Sequence, residues 1–100
     1  MDTNMQEEIT RILTEFAATK FSAEVLEVQG PAEEGSNYRW RIISNRYKEV
    51  TVVASTKKSL FKKPSLSGIE IYGLGDTKRL EPDLKDLQDF LAQADLVAVR

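Results

Sequence analysis

The residues of this chain best suited to chemistry are bases, and they are gathered in the middle of the sequence. Residues 37–63 hold eight lysines and arginines against the single acid Glu49, a net charge of +7. The flanking segments are acidic, with net charges of −6 over residues 1–36 and −3 over residues 64–100. Because such segregation places one sign of charge on one part of a surface, it predicts binding to anions, either phosphate groups or an acidic protein.

Eight side chains in and near this basic segment are our candidates for contact with a partner. Seven are cationic, and the eighth is a tyrosine predicted to lie on an open sheet face: Arg39, Arg41, Arg46, Lys57, Lys58, Lys62, Lys63 and Tyr72. The aromatic residues Tyr47 and Phe61 lie among these bases, a pattern that suits base stacking on single-stranded nucleic acid. The isoelectric point near 5.2 favours an acidic protein over nucleic acid as the partner.

A second interpretation of the basic segment stays open at this point. The same bases would balance the acidic helices of their own domain, through surface pairs that contribute only about 0–1 kcal/mol each. The charge pattern alone does not separate the two interpretations.

The chain lacks the residues on which most catalytic and metal sites depend. It contains no cysteine and no histidine, which removes thiolate nucleophiles and the commonest general base and metal ligand. The carboxylate pairs Glu7–Glu8, Glu33–Glu34 and Asp83–Asp86 have no apolar flanks that would raise a pKa for general acid catalysis. The Gly-Leu-Gly-Asp run at 73–76 lacks the third glycine of a phosphate loop and predicts a turn. We expect no enzyme activity, no cofactor and no metal.

Two amphipathic helices frame the basic segment. Ile9, Ile12, Leu13 and Phe16 recur at helical spacing, which predicts a helix over residues 4–19. A second helix is expected to open at Pro82, a favoured residue in a first helical turn, and its apolar stripe consists of Leu84, Leu87, Leu91 and Ala94.

Between the helices, β-branched and alternating runs predict four strands, over residues 21–28, 38–43, 50–54 and 66–73. Turn-forming residues predict a loop over 30–37, and polar residues with Pro64 predict a basic connection over 55–65. Residues 96–99 would form either a short fifth strand or a packed tail.

The pairing of the second and third strands can be argued from the length of their connection. A three-residue loop places Tyr38, Trp40 and Ile42 on the same face as Val50, Val52 and Ala54, whereas a two-residue loop mixes arginines with valines. We prefer the first register because it produces one apolar face. The other face would then display Arg39, Arg41, Thr51 and Val53.

These elements predict an α+β fold with two layers, in which both helices pack on one face of an antiparallel meander of four strands, or five if 96–99 pairs. We expect residues 1–100 to form one cytoplasmic domain, because no run approaches the roughly 18 apolar residues needed to span a bilayer, and we expect no membrane partner. The predicted function is that of a non-catalytic interaction module, an adaptor, chaperone-like protein or inhibitor, which binds an acidic protein surface through the basic sheet face and the loop at 57–63. The alternative is weak binding of single-stranded nucleic acid. An exposed edge strand would also allow a homodimer.

Overall fold

The structure, a computed structural model, describes residues 3–21, 24–60 and 62–98. These residues form two helices, a turn of π-helix and five strands: α1 Thr3–Phe16, the π-helical turn Ala17–Phe21, β1 Val25–Glu34, β2 Asn37–Ser44, β3 Val50–Ser59, β4 Lys62–Tyr72, β5 Lys78–Leu80 and α2 Leu84–Gln93. The strands make one antiparallel sheet in the order β1-β2-β3-β4-β5. The predicted α+β meander is therefore confirmed.

The predicted register of β2 and β3 is also confirmed. Trp40 lies opposite Val52, and Arg41 lies opposite Thr51. Apolar residues of both strands consequently share one face, while the arginines share the other. A slip of one residue would have moved the arginines into the core, so burial of one face fixes the pairing.

The hydrophobic core lies between the two helices and the apolar face of the sheet. The helices, the π-helical turn and strands β2, β3 and β4 contribute side chains that are almost completely buried, among them Ile9, Leu13, Phe21, Trp40, Ile42, Val50, Val52, Ile69, Ile71 and Leu87. The helical stripe of α1 that was predicted from spacing is the part of the helix that is buried. Both helices thus leave the opposite face of the sheet without a covering layer.

A hydrogen bond joins α1 to the centre of this core. The indole Nε1 of fully buried Trp40 donates to Oγ1 of Thr10 over 2.9 Å, and the Thr10 hydroxyl donates to the backbone carbonyl of Gln6 over 2.8 Å. The threonine therefore supplies the acceptor that a buried indole N–H requires.

We expect Thr10→Val to lower the free energy of unfolding by about 1–3 kcal/mol, because the substitution leaves the buried indole N–H without an acceptor. Thr14→Val is the matched control, since Thr14 donates a similar bond to the carbonyl of Thr10 from the exposed side of α1. The control should change stability by less than about 0.5 kcal/mol. Urea unfolding followed by Trp40 fluorescence measures both, and equal losses would contradict this role of Thr10.

The prediction of a loop over residues 30–37 is wrong. Strand β1 continues through Glu34, and only residues 35–36 make the turn to β2. A register shift in the pairing with β2 accommodates Gly30 and Pro31 inside the strand. Proline is tolerated there because β1 is an edge strand, and in such strands glycine and proline mark bulges as readily as loops.

The basic connection predicted over residues 55–65 is not a loop. Strands β3 and β4 continue through it as a two-stranded ribbon in which Lys57 pairs with Ser65. Within the described residues no other strand pairs with this ribbon, which we call the arm and define as residues 57–60 and 62–65. The protein is correspondingly elongated, 48 Å along its longest axis and about 20 Å across. A ribbon solvated on both faces needs no apolar alternation, so its sequence resembles that of a loop.

The fifth strand forms from Lys78–Leu80, which pairs with β4. The tail at 96–99 contributes a single antiparallel bridge between Ala98 and Tyr47, while Val99 lies outside the described residues. The packed-tail alternative is the better description of this segment, because one bridge does not make a strand.

Helix α2 begins two residues later than predicted. Asp83 is its N-cap, and the carboxylate of Asp83 accepts a hydrogen bond from the backbone N–H of Lys85, so Pro82 precedes the helix. In the described chain neither helix has the length and apolar character needed to cross a membrane.

Candidate binding surface

The predicted arginines of the sheet face already pair with carboxylates of the same chain. The guanidinium of Arg39 lies 3.1 Å from a carboxylate oxygen of Glu34, and that of Arg41 contacts Glu49. Further along the same face, Arg79 lies 3.6 Å from Glu70. The uncovered face therefore alternates acid and base, and its net positive potential is smaller than the sequence of β2 suggests.

Arg41 has the most extensive set of partners on this face. Its Nη2 donates to the carboxylate of Glu49, and its Nη1 donates to Oε1 of Gln29 over 3.2 Å. The hydrogen bond from Arg41 holds the pKa of the Glu49 carboxyl below its ordinary value of 4.5, although partial burial opposes the shift. The pairing raises the pKa of Arg41 in turn, so both groups stay charged at neutral pH.

We expect Arg41→Gln to raise the pKa of Glu49, which NMR titration of its side-chain carboxyl measures. Arg39→Gln is the control, because Arg39 lowers that pKa only weakly and through space. The pKa of Glu49 is lower in the folded chain than in the unfolded one. The pair therefore stabilises the fold above about pH 4.5, and this contribution disappears as the pH falls through the folded-state pKa. Equal shifts in the two variants would contradict the assignment.

Two other predicted contact residues are engaged within the chain as well. Arg46, in the connection between β2 and β3, lies 3.6 Å from Glu24. The Tyr72 hydroxyl donates to Oε2 of Glu70 over 3.0 Å, and this bond raises the pKa of the tyrosine. Tyr72 nevertheless keeps 38% of its surface exposed, so its ring is accessible on the uncovered face.

Tyr47 does not serve the stacking role that its place in the sequence suggested. Its ring is half-buried and packs edge-on against Phe21, with ring centres 5.6 Å apart. Phe61, the other aromatic residue of that prediction, lies outside the described residues.

The lysines of the arm differ from the arginines. Lys57 and Lys58 are exposed, and among the described residues no hydrogen bond or ion pair holds either of them. The backbones of Lys62 and Lys63 lie in β4 on the other side of the arm, but their side chains lie outside the described part of the structure. Lys57 and Lys58 are thus not neutralised by a described carboxylate, whereas Arg39 and Arg41 on the sheet face are.

The structure therefore divides the predicted contact residues into two groups. Arg41 lies opposite Thr51, six residues along β3 from Lys57, which corresponds to about 20 Å in an extended strand. Arg46 lies beyond Arg41, at the end of the sheet that is farther from the arm. A partner that contacts both groups must therefore cover at least about 20 Å of surface along β3.

Sequence reasoning missed one residue of this region. Leu60 is the described residue of the turn that joins β3 to β4, and 94% of its surface is exposed. No pattern marks it, because an isolated leucine between serine and phenylalanine is equally typical of a buried turn. Its exposure follows from the projection of the arm.

One concave region of the described structure is an apolar groove between the helices. The groove between α1 and α2, about 250 Å³ in volume, is lined mainly by Ile12, Phe16 and Leu91. Within the part of the chain that is described, no three acidic side chains lie close enough to hold a metal ion.

Comparisons of this chain with protein-family models, with curated proteins and with solved structures found no match.

Proposed function

We propose that this protein is a non-catalytic, cytoplasmic interaction module that binds an acidic surface of another protein, chiefly through the arm. The observation that supports the proposal is the contrast between Lys57 and Lys58, which have no described carboxylate partner, and Arg39, Arg41 and Arg46, which each have one. Free cations attract an acidic partner and accelerate encounter, whereas neutralised ones contribute little at a distance.

The uncovered sheet face would be the secondary contact. In the ion pairs that Arg39 and Arg41 make on this face, each of the two side chains is about two-fifths exposed or more. Pairs of that exposure contribute about 0–1 kcal/mol, so an arginine can exchange its internal carboxylate for one on a partner at little cost. The exposed ring of Tyr72 lies on the same face and would add apolar contact.

The test compares two variants with the same change of net charge. K57E/K58E reverses two lysines of the arm, and K78E/K85E reverses two exposed lysines elsewhere. In capture from cell extract treated with nuclease, we expect the first to weaken salt-sensitive recovery of a single protein partner by at least about tenfold, and the second to leave it unchanged. Full recovery by K57E/K58E would refute the role of the arm.

Single-stranded nucleic acid is the second candidate partner. It is favoured by the absence of any aspartate or glutamate from residues 50–69, a stretch that includes the whole arm. Binding of this kind should fall with salt by about 0.7 logarithmic units per phosphate contact for each tenfold rise in concentration. Fluorescence anisotropy with labelled single-stranded DNA and RNA at low salt measures it, and a flat titration would remove this candidate.

A further inference from the structure

The tip of the arm combines an apolar apex with cations set back from it. Leu60 is 94% exposed, the most of any large apolar residue in the described chain, and it lies at the outermost turn of the ribbon. Single exposed leucines are ordinary on protein surfaces, but this one lies at the end of a projection that no other described strand supports.

The spacing of the arm sets the depth at which each group would meet a partner. At about 3.3 Å per residue in a strand, Lys58 and Lys57 lie about 7 and 10 Å behind Leu60. On the opposite strand, the backbone of Lys62 pairs with Ser59 and therefore lies nearer the apex, and that of Lys63 comes one residue behind it. An apolar group that binds in a bilayer interface is buried about 5–10 Å into the boundary between headgroups and acyl chains, which matches this separation.

We propose that the apex of the arm inserts into the headgroup region of an anionic lipid bilayer, with Leu60 buried and with Lys57 and Lys58 at the level of the lipid phosphates and carboxylates. A bilayer supplies an apolar layer and a negatively charged layer in this order. A nucleic acid would satisfy the lysines but would leave Leu60 in water unless the side chain opened a base step. Interfacial binding of this kind requires no membrane-spanning helix.

This inference goes beyond the proposed protein partner, although it uses the same exposed lysines. The cytoplasmic leaflet carries the anionic lipids that attract clusters of basic residues. An acidic protein surface would compete with the bilayer for the arm, so the two partners would exclude one another. Binding to vesicles contains no protein partner and is therefore measured separately from the proposed function.

The first test is sedimentation of the full chain with vesicles of about two parts phosphatidylcholine to one part phosphatidylserine, against vesicles of phosphatidylcholine alone. We expect binding to the mixed vesicles only. We also expect binding to weaken as ionic strength rises from about 0.1 to 1 M, since the screening length falls from about 10 Å to 3 Å. Absence of binding to the mixed vesicles at low salt would overturn the proposal.

The second test separates the apolar and the charged contributions. Leu60→Ser should lower the vesicle partition coefficient about tenfold, and K57E/K58E should lower it by at least about 25-fold. The matched controls are Leu26→Ser, at a leucine of β1 that is 61% exposed, and K78E/K85E. Fluorescence of buried Trp40 verifies that each variant is folded.

Three results would refute insertion of the apex. The first is an unchanged partition coefficient for Leu60→Ser, which would show that charge alone binds the arm. The second is an equal loss in Leu26→Ser. The third is binding to a single-stranded oligonucleotide without any binding to the mixed vesicles, which would favour nucleic acid. Each of these results leaves the protein-binding proposal open, because that proposal is tested by capture from extract.

Discussion

Gly73→Ala is expected to lower the free energy of unfolding by about 3–5 kcal/mol, the largest single-residue effect that we predict. Gly73 directly follows β4 and has a φ of +98°, a backbone conformation that is strained for every residue other than glycine. A Cβ added there would overlap the carbonyl oxygen of Glu49 and would lie 3.2 Å from Cα of Val50. Since these are backbone atoms of β3 and its preceding turn, a rotamer change cannot relieve the overlap.

Gly75→Ala is the matched control for this prediction. Gly75 has φ at +95°, almost the same conformation, but a Cβ there would meet no described atom within 4 Å. We expect a loss of about 1 kcal/mol from backbone strain alone. The difference between the two variants in urea unfolding measures the close approach of Gly73 to Glu49. Equal losses would show that strain, and not packing, is the reason for glycine at position 73.

The second large effect is expected from removal of the arm. Thr56 lies opposite Leu66 in the β3–β4 pairing, so an Asn-Gly turn can join them in place of residues 57–65. We expect the free energy of unfolding of the shortened protein to lie within about 1 kcal/mol of the parent's, because no side chain of residues 57–65 whose burial is described belongs to the core. Binding to anionic vesicles and recovery of the protein partner should both be lost.

A full-length variant distinguishes the arm from its side chains. K57S/K58S/L60S/K62S/K63S keeps the length of the ribbon and removes its charge and its apolar apex. An equal loss of binding in both variants would assign recognition to these five side chains. Unfolding of the shortened protein would contradict the structural independence of the arm, and retained vesicle binding would contradict the proposed insertion.

The arm could not be predicted from the local sequence, which indicates a loop over these residues. Lysine, serine and threonine next to Pro64 are typical of a connection, and nothing in their spacing distinguishes a loop from a solvated ribbon. Strand pairing across residues 57–65 is a property of two segments together. For that reason the backbones of the four predicted contact lysines lie in a projecting ribbon and not in the predicted connection.

The pairing of the arginines is a second feature that spacing does not reveal. Arg46 pairs with Glu24, which lies between the π-helical turn and β1. Arg41 pairs with Glu49, which lies in the connection between β2 and β3. One of the two interpretations of the basic segment is that its bases balance the acidic helices of the same domain. Arg39, Arg41 and Arg46 do pair with acids of the same chain, but these are Glu34, Glu49 and Glu24, none of which lies in α1 or α2. Lys57 and Lys58 have no such partner among the described residues.

Local periodicity by itself determined the two amphipathic helices, the apolar faces of β2 and β3, and the register that pairs Trp40 with Val52. It could do so because a helix or a strand repeats its burial pattern every few residues, and a one-residue slip reverses that pattern. Only the tertiary structure decided which charges are neutralised and how far β3 and β4 extend. Those outcomes depend on residues distant in sequence, whose approach is set by packing of the whole sheet against its helices.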